Sequence, residues 1–121
     1  HSSGLKKMRT LYGIDLVGQT TKIAIVEGPS CVWKLAELGI PAGAVLGKSF
    51  SKEQAAILKR KGVTHVFLLA DEDEGGKEFK AKFIENWHTV FNIVTTKLPQ
   101  KDISDMSDEE LKEVKRKWDK I

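Results

Sequence analysis

An alternation of apolar runs restricts this chain's fold more than any other feature. Two short runs, Lys22–Val26 ("KIAIV") and His65–Ala70 ("HVFLLA"), are each followed by stretches whose apolar residues recur at helical spacing. A nearly continuous apolar run suits a strand buried on both faces, and such strands belong to parallel sheets joined by helices. Glu27, Gly28 and Pro29 stop the first run, because proline has no N–H to donate to a ladder. From Ser30, Val32, Leu35, Ala36 and Leu38 keep helical spacing until Gly39 and Pro41 end the pattern.

The same logic orders the rest of the chain. Ala44–Leu46 is expected as a short second strand, and Ser51 with Gln54 has capping-box spacing, opening a helix that ends at Gly62. After His65–Ala70, Gly75 and Gly76 lead into a helix whose Phe79, Phe83 and Trp87 fall four apart on one core-facing side. "VFNIV", Val90–Val94, is expected as a fourth strand, and Leu98–Ser107 is one long polar connection. Ser107 and Glu110 repeat the capping-box spacing before a last helix that docks through Leu111, Val114 and Trp118 while its lysines face water. Strand–helix alternation of this kind implies an α/β fold: a mostly parallel sheet of about four strands, helices on both faces and right-handed crossovers.

With 121 residues, the chain has length for one core. "HSSG", residues 1–4, reads as a tag remnant, leaving residues 5–121 as a single expected domain. A charged fraction of 31% and the lack of any run of about 18 apolar residues argue against disorder and against a membrane partner. Cys31 is the sole cysteine, cannot form an internal disulfide and suits a reducing, cytoplasmic location. His65 and His88, without cysteine pairs nearby, read as structural or surface residues rather than zinc ligands. The net charge of +3 permits attraction to nucleic acid without requiring it.

Chemistry concentrates in "ADEDEGGK", Ala70–Lys77. In an open parallel sheet the ligand crevice lies beyond the carboxyl ends of the strands. Glu27 follows the first strand, and Asp71 and Asp73 follow the third. If those strands are neighbours, the acids share one crevice, with Asp71 and Asp73 turned to a common point and Glu72 and Glu74 turned elsewhere. Two like charges about 4 Å apart repel by roughly 4 kcal/mol at an effective dielectric near 20, so the group needs a proton or a cation. Oxygen donors without histidine or cysteine suit Mg²⁺ or Mn²⁺. Gly75 and Gly76 would offer backbone N–H groups to a phosphate at the helix start, with Lys77 beside them. The alternative is a solvated acidic loop balancing nearby lysines.

These segments, in this order, resemble the Toprim domain shared by bacterial-type DNA primases, type IA and type II topoisomerases and small nucleases. "IVEG" carries its glutamate, Glu27, and "ADEDEGGK" its acidic pair, Asp71 and Asp73. Within the family the chain resembles primases, including the phage and mitochondrial primase-helicase type. "TLYGI" (Thr10–Ile14), "LGKSFSKEQAAILKR" (Leu46–Arg60) and "LPQKD" (Leu98–Asp102) match the primase segments before, within and after the acidic motifs. Two positions depart: Cys31 stands where primases carry an aspartate, and Ser104 where bacterial primases place the second acid of their third motif, with Asp105 one step on.

The resemblance implies a Toprim-like, Rossmann-like sheet and Mg²⁺- or Mn²⁺-dependent nucleotidyl transfer in RNA primer synthesis. Glu27 would be the catalytic carboxylate, with Asp71, Asp73, Asp102 and Asp105 as metal ligands. Gly28, Lys48, Gly75, Gly76 and Lys77 would face phosphate, although Lys48 reads equally well as a solvent-facing residue and Asp102 as a turn cap. Implied partners are a single-stranded DNA template, ribonucleoside triphosphates and a replicative helicase. Lys34, Lys52, Lys59, Arg60 and Lys80 would track the template, the alternative being solvated helix faces. Primases add a zinc-binding module and a template-binding subdomain that this length does not hold, so the chain is expected to be part of a larger primase or a small stand-alone protein. Two other functions fit the pattern: a metal-dependent ribonuclease of the stand-alone Toprim type, and a non-catalytic nucleic-acid-binding module, which Cys31 favours.

Overall fold

The computed structural model describes residues 11–14, 17–45, 50–98 and 103–121. Strands β1 (Lys22–Val26), β2 (Ala42–Ala44), β3 (His65–Leu69) and β4 (Asn92–Thr95) form one sheet in the order β2-β1-β3-β4, and every pair is parallel. Helices α1 (Pro29–Glu37), α2 (Lys52–Arg60), α3 (Glu74–Trp87) and α4 (Asp108–Asp119) connect or follow the strands, and a 3-10 turn at Ile103–Asp105 precedes α4. This is the open α/β sheet expected from the alternation.

The period of two along each strand divides the core into two layers. Ile23, Ile25, Val66 and Leu68 pack with Leu58, Phe79 and Phe83 of α2 and α3. Ala24, Val26, Phe67 and Leu69 pack on the other side with Leu35, Leu111, Val114 and Trp118 of α1 and α4. Each fully buried aliphatic or aromatic side chain contributes about 1.5–3 kcal/mol, which explains why both central strands contain so little polarity. The chain steps from β1 out to β2, then back across β1 to β3. That reversal sends α2 to the face opposite α1, as right-handed crossovers require.

Both expected capping boxes form. Ser51 Oγ accepts from Gln54 N (3.1 Å) while Ser51 N donates to Gln54 Oε1 (2.7 Å), so Gln54 is satisfied although only 1% exposed. Ser107 N donates to Glu110 Oε1 (2.9 Å), and Glu110 N to Ser107 Oγ (3.3 Å). Positive φ at Gly39 and Gly62 turns the chain out of α1 and α2, a conformation that glycine adopts without a Cβ clash. Trp118 docks α4 as expected: its ring lies 6.2 Å from that of Phe67, and Lys22 Nζ donates to Trp118 O at 2.9 Å.

Two strands begin elsewhere than the sequence suggests. The second occupies Ala42–Ala44 rather than Ala44–Leu46, Leu46 lying outside the described residues. Its small residues have weak strand propensity; the strand is imposed by pairing with β1 on one side and with Tyr12 on the other, where Tyr12 N donates to Ala44 O (2.8 Å) and Ala44 N to Tyr12 O (3.0 Å). The fourth starts at Asn92, not Val90, because Val90 N and Phe91 N both donate to Trp87 O (3.0 Å each) in the turn leaving α3.

Candidate active site

β1 and β3 are hydrogen-bonded neighbours, with Val26 opposite Leu69, so both chains leave the sheet side by side. Strand order reverses at β1, which makes the carboxyl ends of β1 and β3 the switch point where an open α/β sheet presents a crevice. Glu27 is the first residue past β1, and Asp71 lies two past the end of β3. Glu27 Oε2 accepts a hydrogen bond from Asp71 N at 2.7 Å. The glutamate of the first motif therefore touches the backbone of the second, and the pairing of β1 with β3 meets the condition on which a shared crevice depends.

The loop after β3 is held by its own acids. Asp73 is the N-cap of α3, and its Oδ1 accepts from Gly76 N at 2.7 Å. A Cβ on Gly76 would lie 1.8 Å from Asp71 O, so only glycine allows the helix start to sit under the loop so closely. The structure thus gives Gly76 a different task from the expected one: its N–H is committed to Asp73 rather than offered to a phosphate, and the missing side chain lets Asp71 pack against the helix. Gly75 is half-buried beside it, and Lys77 is exposed in the first turn of α3.

The four consecutive acids point to different places. Glu72 Oε2 lies 3.5 Å from Leu98 N, toward the segment after β4, and Glu74 is exposed. Glu72 as a bridge to that segment was not anticipated; in a run of identical charges nothing in the sequence marks which acid turns which way. Gly28 is the N-cap of α1, extended at φ −122° and ψ 150°, with no side-chain cap bond.

Asp105 is exposed at the end of the 3-10 turn, while Asp102 and Lys48 lie outside the described residues. Cys31 is buried among Val32, Leu35 and Leu69 in the layer beneath α1, so the position that carries an aspartate in primases contributes to the apolar core. Lys52, Lys59 and Arg60 are exposed on α2, and Lys80 is half-buried on α3. Lys34 belongs to α1, whose packing places it over the opposite layer of the sheet, so the five cations do not form one continuous track.

The donor types suit a hard divalent ion: Glu27, Asp71 and Asp73 supply carboxylate oxygens only. The bonds to Asp71 N and Gly76 N each use one oxygen of a carboxylate, and a carboxylate has two. Among the described residues, no three histidine, cysteine, aspartate or glutamate side chains already converge as a metal-binding group.

An open parallel sheet in the order β2-β1-β3-β4, with acids past the β1 and β3 ends, defines the class of α/β domain to which this chain belongs. The chain belongs to the Toprim-like family, whose model matches residues 24–108. It is 30% identical over 101 residues to a DNA primase of Chlamydia pneumoniae, an alignment covering 78% of this chain and 17% of that protein. The DnaG primase catalytic domain bound to single-stranded DNA superimposes with a TM-score of 0.72 at 22% identity, over 92% of this chain and 40% of that one. The primase fragment of the bacteriophage T7 primase-helicase gives 0.62 at 22% identity, over 85% of this chain and 47% of that one. At these identities the structural likeness establishes the fold. The chain spans a minor part of each of these relatives. Among the described residues, no helix is long and apolar enough to cross a membrane.

Proposed function

We propose that this chain is the Toprim domain of a DNA primase, holding a divalent ion and nucleotide phosphates during RNA primer synthesis on single-stranded DNA. The hydrogen bond from Asp71 N to Glu27 Oε2 carries this reading, because it joins the family's two acidic motifs in one crevice. The sequence relationship to a bacterial DNA primase favours synthesis over the hydrolysis performed by small stand-alone members.

Asp71, Asp73 and Glu27 would hold Mg²⁺ or Mn²⁺, with Asp102 and Asp105 as a further acidic element. The ion would supply electrostatic stabilisation as a ribonucleotide 3′-oxygen bonds to an α-phosphorus and the bond to pyrophosphate breaks. Glu27 fixes the β3 loop through Asp71 N, and Asp73 fixes the helix start through Gly76 N, so the loop is oriented before substrate arrives. A Cβ at Gly28 would meet nothing within 4 Å, so a phosphate would find room there, with the Gly75 N–H at the start of α3 facing it and Lys77 and Lys48 neutralising its charge. A replicative helicase is the proposed protein partner, by analogy with the fused phage protein. The reaction's place is cytoplasmic, as the lone cysteine suggests.

The decisive experiment titrates Mn²⁺ into the chain by calorimetry. It then supplies Mn²⁺, a single-stranded DNA template and labelled ribonucleotides to the longest available form of the protein. Mn²⁺ binding that disappears in Asp71→Asn, together with template-dependent oligonucleotides and pyrophosphate, is the expected result. Shortened structured RNA would assign the site to a nuclease instead. Absence of Mn²⁺ binding would remove the metal from the proposal and leave a binding module.

A further inference from the structure

Away from the strand ends, α2, the C-terminal end of α3 and the turn after it border an open groove of about 350 Å³ lined by Lys52, Ala55, Ala56, Lys59, Trp87 and Val90. Its chemistry is unlike that of the acidic rim. The floor is two alanines, a valine and an indole; the charged groups that line it are two exposed lysines, and no carboxylate among the described residues does so.

Trp87 reads from spacing as a core residue, and half of that reading is correct. Its ring meets Phe50 edge-on at 5.5 Å and Phe91 at 6.5 Å, inside the layer under α2 and α3. The residue nevertheless stays partly exposed, and what those rings leave uncovered borders the groove. A partly exposed indole held by two phenyl rings loses little freedom when a planar ligand lands on it. Lys52 and Lys59 are seven residues apart, about 10.5 Å along one side of a helix at 1.5 Å per residue. Stacked nucleotides rise about 3.4 Å each along a strand, so the two cations span about three of them.

We infer that this α2–α3 groove binds single-stranded DNA, with Lys52 and Lys59 facing backbone phosphates and Trp87 stacking against a base. The combination of an aromatic platform with flanking cations over a mostly apolar floor is that of a sequence-tolerant single-strand site. An acidic peptide would satisfy the lysines equally well, but the indole and the spacing of the cations favour a strand of stacked bases. The inference deepens the proposed function and rests on it for the choice of polymer: the groove would carry template at a distance from the carboxylates. Lys34, over the opposite layer, is left out of that path.

The test uses a fluorescein-labelled oligodeoxythymidylate, with anisotropy read across a salt series, and the same oligomer bearing 5-iododeoxyuridine for photocrosslinking. The Lys52→Gln/Lys59→Gln double variant changes exposed side chains only. It should weaken binding about tenfold at low salt and reduce the slope of log K against log salt by about 1.4, the value for two phosphate contacts on a single strand. Crosslinks should map to Trp87 in the unmutated chain, a readout that needs no folding of a variant. Trp87→Phe should keep most of the affinity, and Trp87→Leu should lose between about 5- and 150-fold, the range for one stacked base. Unchanged affinity in the lysine double variant, or crosslinks that avoid Trp87, would overturn the inference. A glutamate–phenylalanine peptide binding more tightly than the oligomer, with the same dependence on Lys52 and Lys59, would also overturn it and give the groove to a protein. Mn²⁺ titration of the same samples keeps the two proposals apart: the groove fails alone if Mn²⁺ binds and the lysines are silent, and the metal site fails alone in the converse case.

Discussion

The turns that leave β1 and β3 both set acids and glycine at a helix start, yet they divide the work differently. After β1, the cap position of α1 is Gly28, which has no side chain to bond the helix N–H groups. Glu27, one residue before that cap, sends its carboxylate across to Asp71 N of the neighbouring loop. After β3, Asp73 stays local and caps its own helix through Gly76 N. One turn exports its acid and the other spends an acid on itself. The acidic loop is therefore braced from two directions, by a neighbouring strand and by the helix that follows.

The largest expected effect comes from the tightest contact in that brace. Gly76→Ala would place a methyl group 1.8 Å from Asp71 O, against backbone that cannot swing aside as a side chain tip could. A loss of about 3 kcal/mol in urea unfolding is expected, the upper end of overpacking costs, with Mn²⁺ affinity falling as Asp71 is displaced. A tolerated alanine would mean that the loop is looser than the brace requires. Glu27→Ala comes next, at about 1.5–3 kcal/mol, because it removes an acceptor whose charge strengthens the bond to Asp71 N. Glu27→Gln retains an acceptor and should recover a large part of that stability while still weakening Mn²⁺ binding. If both substitutions cost the same, the contact is not what couples the two turns.

Much of this arrangement can be traced to particular residues. Ile23, Ile25, Val66 and Leu68 announce two buried strands because a sheet covered on both faces tolerates no polar residue there. The pairs Ser51–Gln54 and Ser107–Glu110 announce helix starts because their bonds close within three residues. The crevice could be anticipated conditionally, on β1 and β3 being neighbours, and the sheet order supplies that condition. What stayed hidden depends on contacts between distant segments. β2 owes its position to Tyr12 and β1 rather than to its own Ala-Gly-Ala, and Gly76 owes its identity to the carbonyl of Asp71. Trp87 keeps helical core spacing and still borders a groove, since spacing assigns a side to a residue without saying how fully the neighbour covers it.

Asp73 allows capping and ligation to be measured separately. Asparagine caps a helix about as well as aspartate, whereas alanine does not. Asp73→Ala should therefore cost about 1 kcal/mol in urea unfolding and Asp73→Asn close to nothing. Both should weaken Mn²⁺ binding if the carboxylate is a ligand. An Asp73→Asn variant with undiminished Mn²⁺ affinity would confine Asp73 to the cap and leave Glu27 and Asp71 as the metal-facing pair.

The smallest effect tests the other turn, and its sign is the informative part. Gly28 has an extended backbone that serine adopts without strain, and a Cβ there would meet nothing within 4 Å. Gly28→Ser gives α1 the side-chain cap it lacks and reduces the freedom of the unfolded chain, so a gain of about 0.5 kcal/mol is expected. If stability alone governed this position, serine would be the better residue. If Gly28 instead keeps space for a phosphate beside Glu27, the same substitution should stabilise the fold while weakening binding of a nucleoside triphosphate in the presence of Mn²⁺, as read by calorimetry. A variant that gains stability and binds triphosphate as before would show that the bare cap of α1 makes no room that the phosphate needs, and would move the phosphate entirely to the β3 side of the crevice.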